Sequence, residues 1–406
     1  MLVAVREEPE SVGAAAPIGR DPGAAAGRGS TIVGVTRLVL TDFRNYAAMR
    51  LDLGSQPVVL TGPNGAGKTN LLEAMSFLSP GRGLRNARLS DIDRREEGGA
   101  AVSGWAVAAT VATRRGPVRI GTGRDGAAGE RRAVRIDGEP ARGQAALGER
   151  IGVLWLTPQM DRLFIEGPAA RRRLLDRLVL GLDPAHATRV ARYEQAMRER
   201  ARLLRDGSVD RAWFGALEEI MAGEGVAVAA ARRDAVERLD AVCAAAEGAF
   251  PRARLAVCGV VESWLDEMPA LAAEERLHAA LAEHRVRDTQ SGGAGIGPHR
   301  SDLLVTHAEK GIPAESASTG EQKALLIAIL LAQAQLQRSL RGEPPVLLLD
   351  EVAAHLDANR RTALFEIVAG LESQAWITGT DIGVFAPLCG TARFLSVCDG
   401  TLYDSA

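Results

Sequence analysis

The sequence predicts an α/β protein whose head combines a mixed core sheet with an antiparallel β subdomain, and into which an α-helical arm is inserted. Three observations predict it. An apolar strand, Val58 to Thr61, runs into the glycine-rich stretch Gly62-Pro63-Asn64-Gly65-Ala66-Gly67-Lys68-Thr69-Asn70 and then into Leu71-Leu72-Glu73-Ala74, a helix start. A second apolar strand, Pro345 to Leu349, ends in Asp350-Glu351, and 282 positions separate Lys68 from Asp350. Between the two lies a long block of helical periodicity, from about Pro168 to about Arg287, which a compact nucleotide-binding unit does not need. The expected division is a disordered tail over 1–30, the first part of the head over 31–165, the arm over 166–290 and the rest of the head over 291–406.

The chemistry of phosphate binding explains the first motif. Glycines let the backbone curl so that several N–H groups point at phosphate oxygens, where side chains would block the approach. Lys68 is placed to reach the β- and γ-phosphates and Thr69 to offer a hydroxyl to Mg²⁺, while the N-terminal end of the next helix favours negative charge. The chain is therefore expected to bind a nucleoside triphosphate.

Composition narrows the class. At 406 residues, 46% apolar and 25% charged, the chain has the make-up of a soluble globular protein of two or three domains. A net charge of -2 excludes a wholly basic nucleic-acid coat, though not a local basic face. Lysine occurs at 68, 310 and 323 alone, which leaves 46 of the 49 positive residues as arginine. With so much Ala and Gly, this resembles a GC-rich coding bias and weakens any argument from a single Arg. Cys243, Cys258, Cys389 and Cys398 have no metal-binding spacing and read as buried thiols of a reducing compartment. There is no signal peptide, and the longest apolar run, Ala324 to Ala332, is too short to span a membrane, so a cytoplasmic protein is expected.

The remaining elements follow in order. Residues 1–30 are rich in Ala, Gly, Pro and charge without periodicity, hence the expected tail. Ile32 to Leu40 reads as a strand and Thr41 to Tyr46 as a polar turn. Ala101 to Thr113, Val118 to Gly123 and Ala133 to Ile136 alternate as antiparallel strands do, and Ile151 to Leu156 returns to the main sheet. Pro168 sits as a first-turn proline would, opening a helix through Leu182. Helices are expected over Pro184–Arg205, Val209–Met221, Val226–Ala249 and Ala270–Arg285, interrupted by a strand at Arg254–Val261, with Gly292 to Gly297 as a flexible exit. Asp302 to Thr306 is a strand, Glu321 to Leu340 a helix, Arg360 to Leu371 another, and Ala375 to Thr378 the last core strand.

The acid pair completes an ATPase site. Its strand delivers Asp350 to the Mg²⁺ shell, and Glu351 is placed to polarise the attacking water. Ser318-Thr319-Gly320-Glu321 opens a long helix with the pattern of a capping box, and Leu356-Asp357 turns the chain away after the acids. That order, Ser-x-Gly-x-Gln at a helix start, then Asp-Glu, then Leu-Asp, is similar to ABC-type ATPases. There the signature helix of one subunit faces the γ-phosphate held by the other, and ATP acts as a glue between two heads. Arg44 is placed to reach the nucleotide, and Gln159 resembles the glutamine that touches Mg²⁺ in such proteins. Between Arg171 and Arg205 ten arginines stand against four acids, which reads either as a phosphate-binding face or as a solvated helix laced by pairs such as Glu194–Arg198.

Taken together, Asp42 to Tyr46, Gly62 to Ala74, Arg171 to Asp176, Gly297-Pro298-His299-Arg300, Ser318 to Lys323 and Leu347 to Asp357 resemble the RecF family, SMC-like ABC ATPases of bacterial recombinational repair. The resemblance covers about Thr31 to the C-terminus. It implies an ATP-dependent homodimer that clamps duplex or gapped DNA or a single-/double-strand junction. It also implies slow, DNA-stimulated ATP hydrolysis and partnership with RecO and RecR in recombinase loading and replication restart, with no membrane involved. Three departures stand out: the N-terminal extension, Ser301 where the family's motif has an acid, and Arg198-Glu199 where an Arg-Asn pair is common. At the place of the transporter ATPases' histidine, the chain has Thr378-Gly379-Thr380-Asp381. That departure and the arm count against a transporter subunit, and the arm lacks the heptads of a long SMC-type tether. A nucleotide-gated scaffold without meaningful turnover stays open.

Overall fold

Short, mostly apolar runs at Val58, Val153, Val346 and Ala375 form the middle of the central sheet, because each of these strands is buried on both faces. The computed structural model describes residues 33–96, 99, 101–126, 129–207, 210–353 and 356–405, so the expected tail lies outside the described residues. In chain order, β1 (Gly34–Phe43) and β2 (Tyr46–Asp52) form a hairpin, and β3 (Val58–Thr61) leads through the glycine-rich loop into α1 (Lys68–Ser76). Then come β4 (Gly104–Thr113), β5 (Gly116–Asp125), β6 (Arg132–Ile136), β7 (Glu139–Pro140), α2 (Ala145–Gly148) and β8 (Val153–Leu156). The arm follows with α3 (Pro168–Leu182), α4 (His186–Arg205), α5 (Arg211–Ala245), β9 (Ala253–Cys258), α6 (Val260–Glu267), α7 (Ala270–Glu283) and α8 (Arg285–Ser291). The chain returns as β10 (Asp302–His307), β11 (Ile312–Pro313), α9 (Thr319–Arg341), β12 (Val346–Leu349), α10 (Ala358–Gly370), β13 (Ala375–Gly379), β14 (Arg393–Cys398) and β15 (Thr401–Asp404).

The core sheet runs β15-β14-β3-β13-β12-β8, parallel except for the β14–β15 pair, so strands from both ends of the sequence interleave. Alternate residues of each strand serve opposite layers. Val58, Leu60 and Trp376 face α1 and the antiparallel sheet β2-β1-β4-β5-β6-β7, while Val59, Leu347 and Ile377 face α3, α9 and α10. A separate core in the arm packs α4, α5 and α7 through Tyr193, Met221, Val226 and Leu277. Helix α5 belongs to both: Phe214 to Ala229 lie in the arm core, and Ala235 to Cys243 in the head core.

Several expectations are corrected. The polar turn is only Arg44-Asn45; β1 continues to Phe43, and Phe43 pairs with Tyr46 at the head of β2, a strand absent from the expectation. The two helices expected around Gly223-Glu224-Gly225 are the one helix α5, of 35 residues. Gly225 is there for close packing, since a Cβ would stand 3.1 Å from the Tyr193 ring and 3.3 Å from Leu277. The strand at Arg254 stops at Cys258, two residues before α6, and it pairs with β10 of the returning chain. The stretch from Gly292 to Gly297 is a packed turn, in which buried Ala294 lends its carbonyl to Arg300 and His299. Ala375–Gly379 is not the last core strand, for β14 lies beside β3. Of the four cysteines, Cys243 is buried, with burial pushing its thiol up to about 12, whereas the other three are exposed.

One arginine holds α1 in place. The Arg132 guanidinium donates to the carbonyls of Phe77, Ser79 (3.2 Å) and Gly81 (2.8 Å), just past the helix's C-terminus, and lies over the Phe77 ring. It thereby satisfies carbonyls that have no helical partner. Arg132→Met should lower stability by about 1–3 kcal/mol, seen as an earlier urea midpoint with an unchanged slope.

Candidate nucleotide site

The glycine-rich loop is held from beneath and open above. Tyr46 donates its hydroxyl to the Gly67 carbonyl at 3.1 Å, Asn45 its amide to the Ala66 carbonyl at 3.3 Å, and the Gly400 N–H reaches Ala66 at 3.1 Å. Added side chains would collide there: a Cβ at Gly62 would sit 2.3 Å from the Val397 carbonyl, and one at Gly67 2.6 Å from the Asn45 amide. Both glycines also take positive φ, at 141° and 115°. At Gly65 a Cβ would meet nothing within 4 Å, so the other side of the loop is free for a ligand. Lys68 folds its ammonium back onto the carbonyls of Gly62 (2.6 Å) and Pro63 (2.9 Å). Burial pulls its pKa below the ordinary lysine value, and Glu351 and Asp350 pull it back.

The second motif meets the first here. Thr69 Oγ1 donates across the site to Asp350, 3.1 and 3.0 Å from its two carboxylate oxygens. The neighbouring strands explain the meeting: β12 lies beside β13, which lies beside β3, so Asp350 emerges level with the loop. The following residue, Glu351, is partly exposed and has φ 54°, an unusual angle for a non-glycine residue. A hydroxyl and a carboxylate form a hard-oxygen pair that suits Mg²⁺, which keeps waters and takes phosphate oxygens rather than demanding a full protein cage. Among the described residues no group of three or more His, Cys, Asp and Glu is arranged to hold a metal.

The other expected residues have different surroundings. Arg44 forks onto the buried Glu73 carboxylate at 2.9 and 2.8 Å and donates to the Asp91 carbonyl, so its guanidinium is already engaged. Asn70 bridges Asn45 and Arg85. Gln159 is exposed on the single 3₁₀ turn after β8. Ser318 and Glu321 form the capping box of α9, with Glu321 Oε2 accepting from the Ser318 N–H at 3.0 Å. Lys310 and Ser318 hold the Glu321 carboxyl down at about 2. Thr319 and Gly320 are exposed beside it, and among the described residues no hydrogen bond or ion pair joins this helix start to the glycine-rich loop. Asp357 caps α10 through the Arg360 N–H at 2.9 Å; Ala354 and His355 before it lie outside the described residues.

Sequence reasoning missed Thr378, whose hydroxyl lies between the two acids; a polar residue closing an otherwise apolar strand was the available signal. The arginine-rich stretch is largely engaged within the protein. Arg200 is buried, Arg177 stacks on Trp155, Arg172 donates to the Ser301 carbonyl, and Arg171, Arg189, Arg192 and Arg198 pair with Asp302, Asp183, Glu224 and Glu194; among the described residues this leaves Arg173, Arg202 and Arg205 exposed without such partners.

Residues 34–387 match the family model described as RecF/RecN/SMC N terminal domain. The chain is 52% identical over 372 residues to the DNA replication and repair protein RecF of Mesorhizobium japonicum, covering 91% of this chain and 97% of that protein. It is 50% identical over 369 residues to the protein of that name from Rhizobium meliloti, covering 90% and 97%. The solved structure of the recombination mediator protein RecF-ATPrS in the RecFOR pathway aligns with a TM-score of 0.79 at 20% identity, over 92% of this chain and 98% of that one. The RecF-ATP structure gives 0.76 at 21% identity, over 92% and 99%. Those two show a shared ABC-type ATPase fold, and the identity to the curated relatives over nearly the whole chain shows the rest: the chain belongs to the RecF family.

Proposed function

We propose that the chain is an ATPase of DNA replication and repair that uses ATP as a switch between separate and paired heads. The observation that carries this reading is the closure of Thr69 onto Asp350, which builds one site from two motifs at opposite ends of the sequence. In it, the loop N–H groups and Lys68 take the phosphates, Lys68 leaving its loop carbonyls to do so. Thr69 and Asp350 would hold Mg²⁺, which neutralises phosphate charge when bound, with Gln159 beside them. Glu351 accepts the proton of the attacking water. The exposed start of α9, with Ser318, Thr319 and Gly320, would meet the γ-phosphate held by a second copy, and Asp357 would lie at that seam. Arg44 would serve the nucleotide only by leaving Glu73.

The curated relatives' names support DNA as the partner, and the RecFOR pathway of the similar solved structure supports RecO and RecR as further ones. The reading places residues 31–165 and 291–406 in the head, 166–290 in an arm beside the DNA, and the protein in the cytoplasm. Among the described residues no helix is long and apolar enough to cross a membrane.

Lys68→Arg tests the reading. Turnover should fall by about 10²- to 10³-fold, since a bulkier guanidinium cannot occupy the buried ammonium position. Hydrolysis is to be measured without DNA and with duplex, single-stranded and gapped DNA, alongside the ATP-dependent shift from monomer to dimer. Stimulation by duplex or gapped DNA that the variant lacks would support the clamp. Turnover indifferent to every DNA, with no dimer, would leave the fold without the function.

A further inference from the structure

Thr378 is the penultimate residue of β13, beside the point where Asp350 leaves β12, and it is fully buried. Its hydroxyl donates to Asp350 Oδ1 at 2.7 Å and accepts the backbone N–H of Glu351 at 2.9 Å. One side chain therefore grips both acids, one through its carboxylate and the other through its backbone. Asp350 receives two hydroxyls in all, from Thr69 on the loop side and Thr378 on the strand side, which together fix the plane of its carboxylate. The grip on Glu351 matters for a separate reason. That residue holds a left-handed φ of 54°, a conformation that non-glycine residues keep only where their surroundings over-determine it. The Thr378 hydroxyl supplies that restraint at the N–H itself.

Resting on the ATPase reading above, we infer that Thr378 is a positioning residue for hydrolysis: a two-way hydroxyl splint that sets Asp350 for the cation and aims Glu351 at the water. Fully buried, it would act through the two acids alone. Its place in the sheet, level with Leu60 of the strand that feeds the glycine-rich loop, keeps the splint in register with the phosphate end of the site.

The test compares Thr378→Val, which keeps the shape without the hydroxyl, with Thr378→Ser, which keeps the hydroxyl without the methyl. Thr378→Val should lose about 10- to 100-fold in kcat, the usual cost of removing an outer partner of a metal ligand, with KM for ATP nearly unchanged. Binding of a fluorescent ATP analogue by Thr378→Val should also need more free Mg²⁺ for half-saturation, a readout independent of turnover. Thr378→Ser should restore both. Should the valine variant not fold, Thr378→Ala serves in its place, with the same losses expected. Wild-type kcat and wild-type Mg²⁺ dependence in the hydroxyl-free variant would overturn the assignment, as would equal losses in the serine variant. Either result would leave the ATPase reading intact provided that the wild type turns over ATP and Lys68→Arg does not.

Discussion

Glu351→Gln is expected to hold ATP, remain dimeric and turn over about 10²- to 10⁴-fold more slowly, the range lost when a general base is removed. The backbone at Glu351 is held by its own N–H on Thr378, so the amide should take the same place as the acid. Nothing that grips the nucleotide changes: Lys68, Thr69 and Asp350 keep their contacts. Only proton acceptance is lost, and the step that separates the heads stalls. Sedimentation with ATP should show a lasting dimer where the wild type returns to monomer. An ATP-bound Glu351→Gln protein that stays monomeric would refute the claim that ATP glues two heads together.

Arg200→Met should be the most destabilising single change in the arm, by about 3–5 kcal/mol, because it strands the buried Asp288 carboxylate and leaves Glu218 to Arg285 alone. Arg200 is 1% exposed and donates to Glu218 at 2.9 Å, to Asp288 at 2.7 Å and to the Leu281 carbonyl at 2.6 Å. It starts on α4 and reaches α5, α7 and α8, fastening four helices with one side chain. Both acids are almost wholly buried. Burial alone would raise the Glu218 carboxyl, yet Arg285 and Arg200 hold it below its ordinary value. Adding Asp288→Asn to Arg200→Met should recover part of the loss, since the orphaned charge is then gone. Urea titrations of the three proteins decide it. A loss below about 1 kcal/mol for Arg200→Met would mean that water already reaches the cluster.

What was legible in the sequence was what is adjacent in it. The glycine-rich loop and the Asp350-Glu351 pair could be read because their chemistry is packed into a few consecutive residues. The apolar runs at Val58, Val153 and Val346 were read as strands because burial on both faces leaves no polar position. The shared helix α5 was not read as one element, because Gly225 looks like a stop until Tyr193 and Leu277 are seen pressed against it. Strand β2 was missed because it has an exposed face and follows a polar turn. The contacts of Thr378 and Arg200 were out of reach for one reason: those of Thr378 are 27 and 28 residues away and those of Arg200 on three other helices, and only the fold brings them within hydrogen-bond distance.

The two-core membership of α5 has a mechanical consequence. At 35 residues it is a rod of about 52 Å at the usual rise of 1.5 Å per residue. Its C-terminal third is clamped in the head and its N-terminal half carries the arm, with Arg232, bound to Asp176 and the Pro298 carbonyl, at the crossing. Such a rod works as a lever with its fulcrum at Arg232. A rotation of about 5° there would carry the far end roughly 3 Å, given the ~32 Å from Arg232 to Arg211 along the helix. The cores on either side are close-packed, so the rod transmits angle rather than absorbing it. Small adjustments on the head side would then be read out at the arm as displacements comparable to the ~3.4 Å axial rise per phosphate along one strand of duplex DNA.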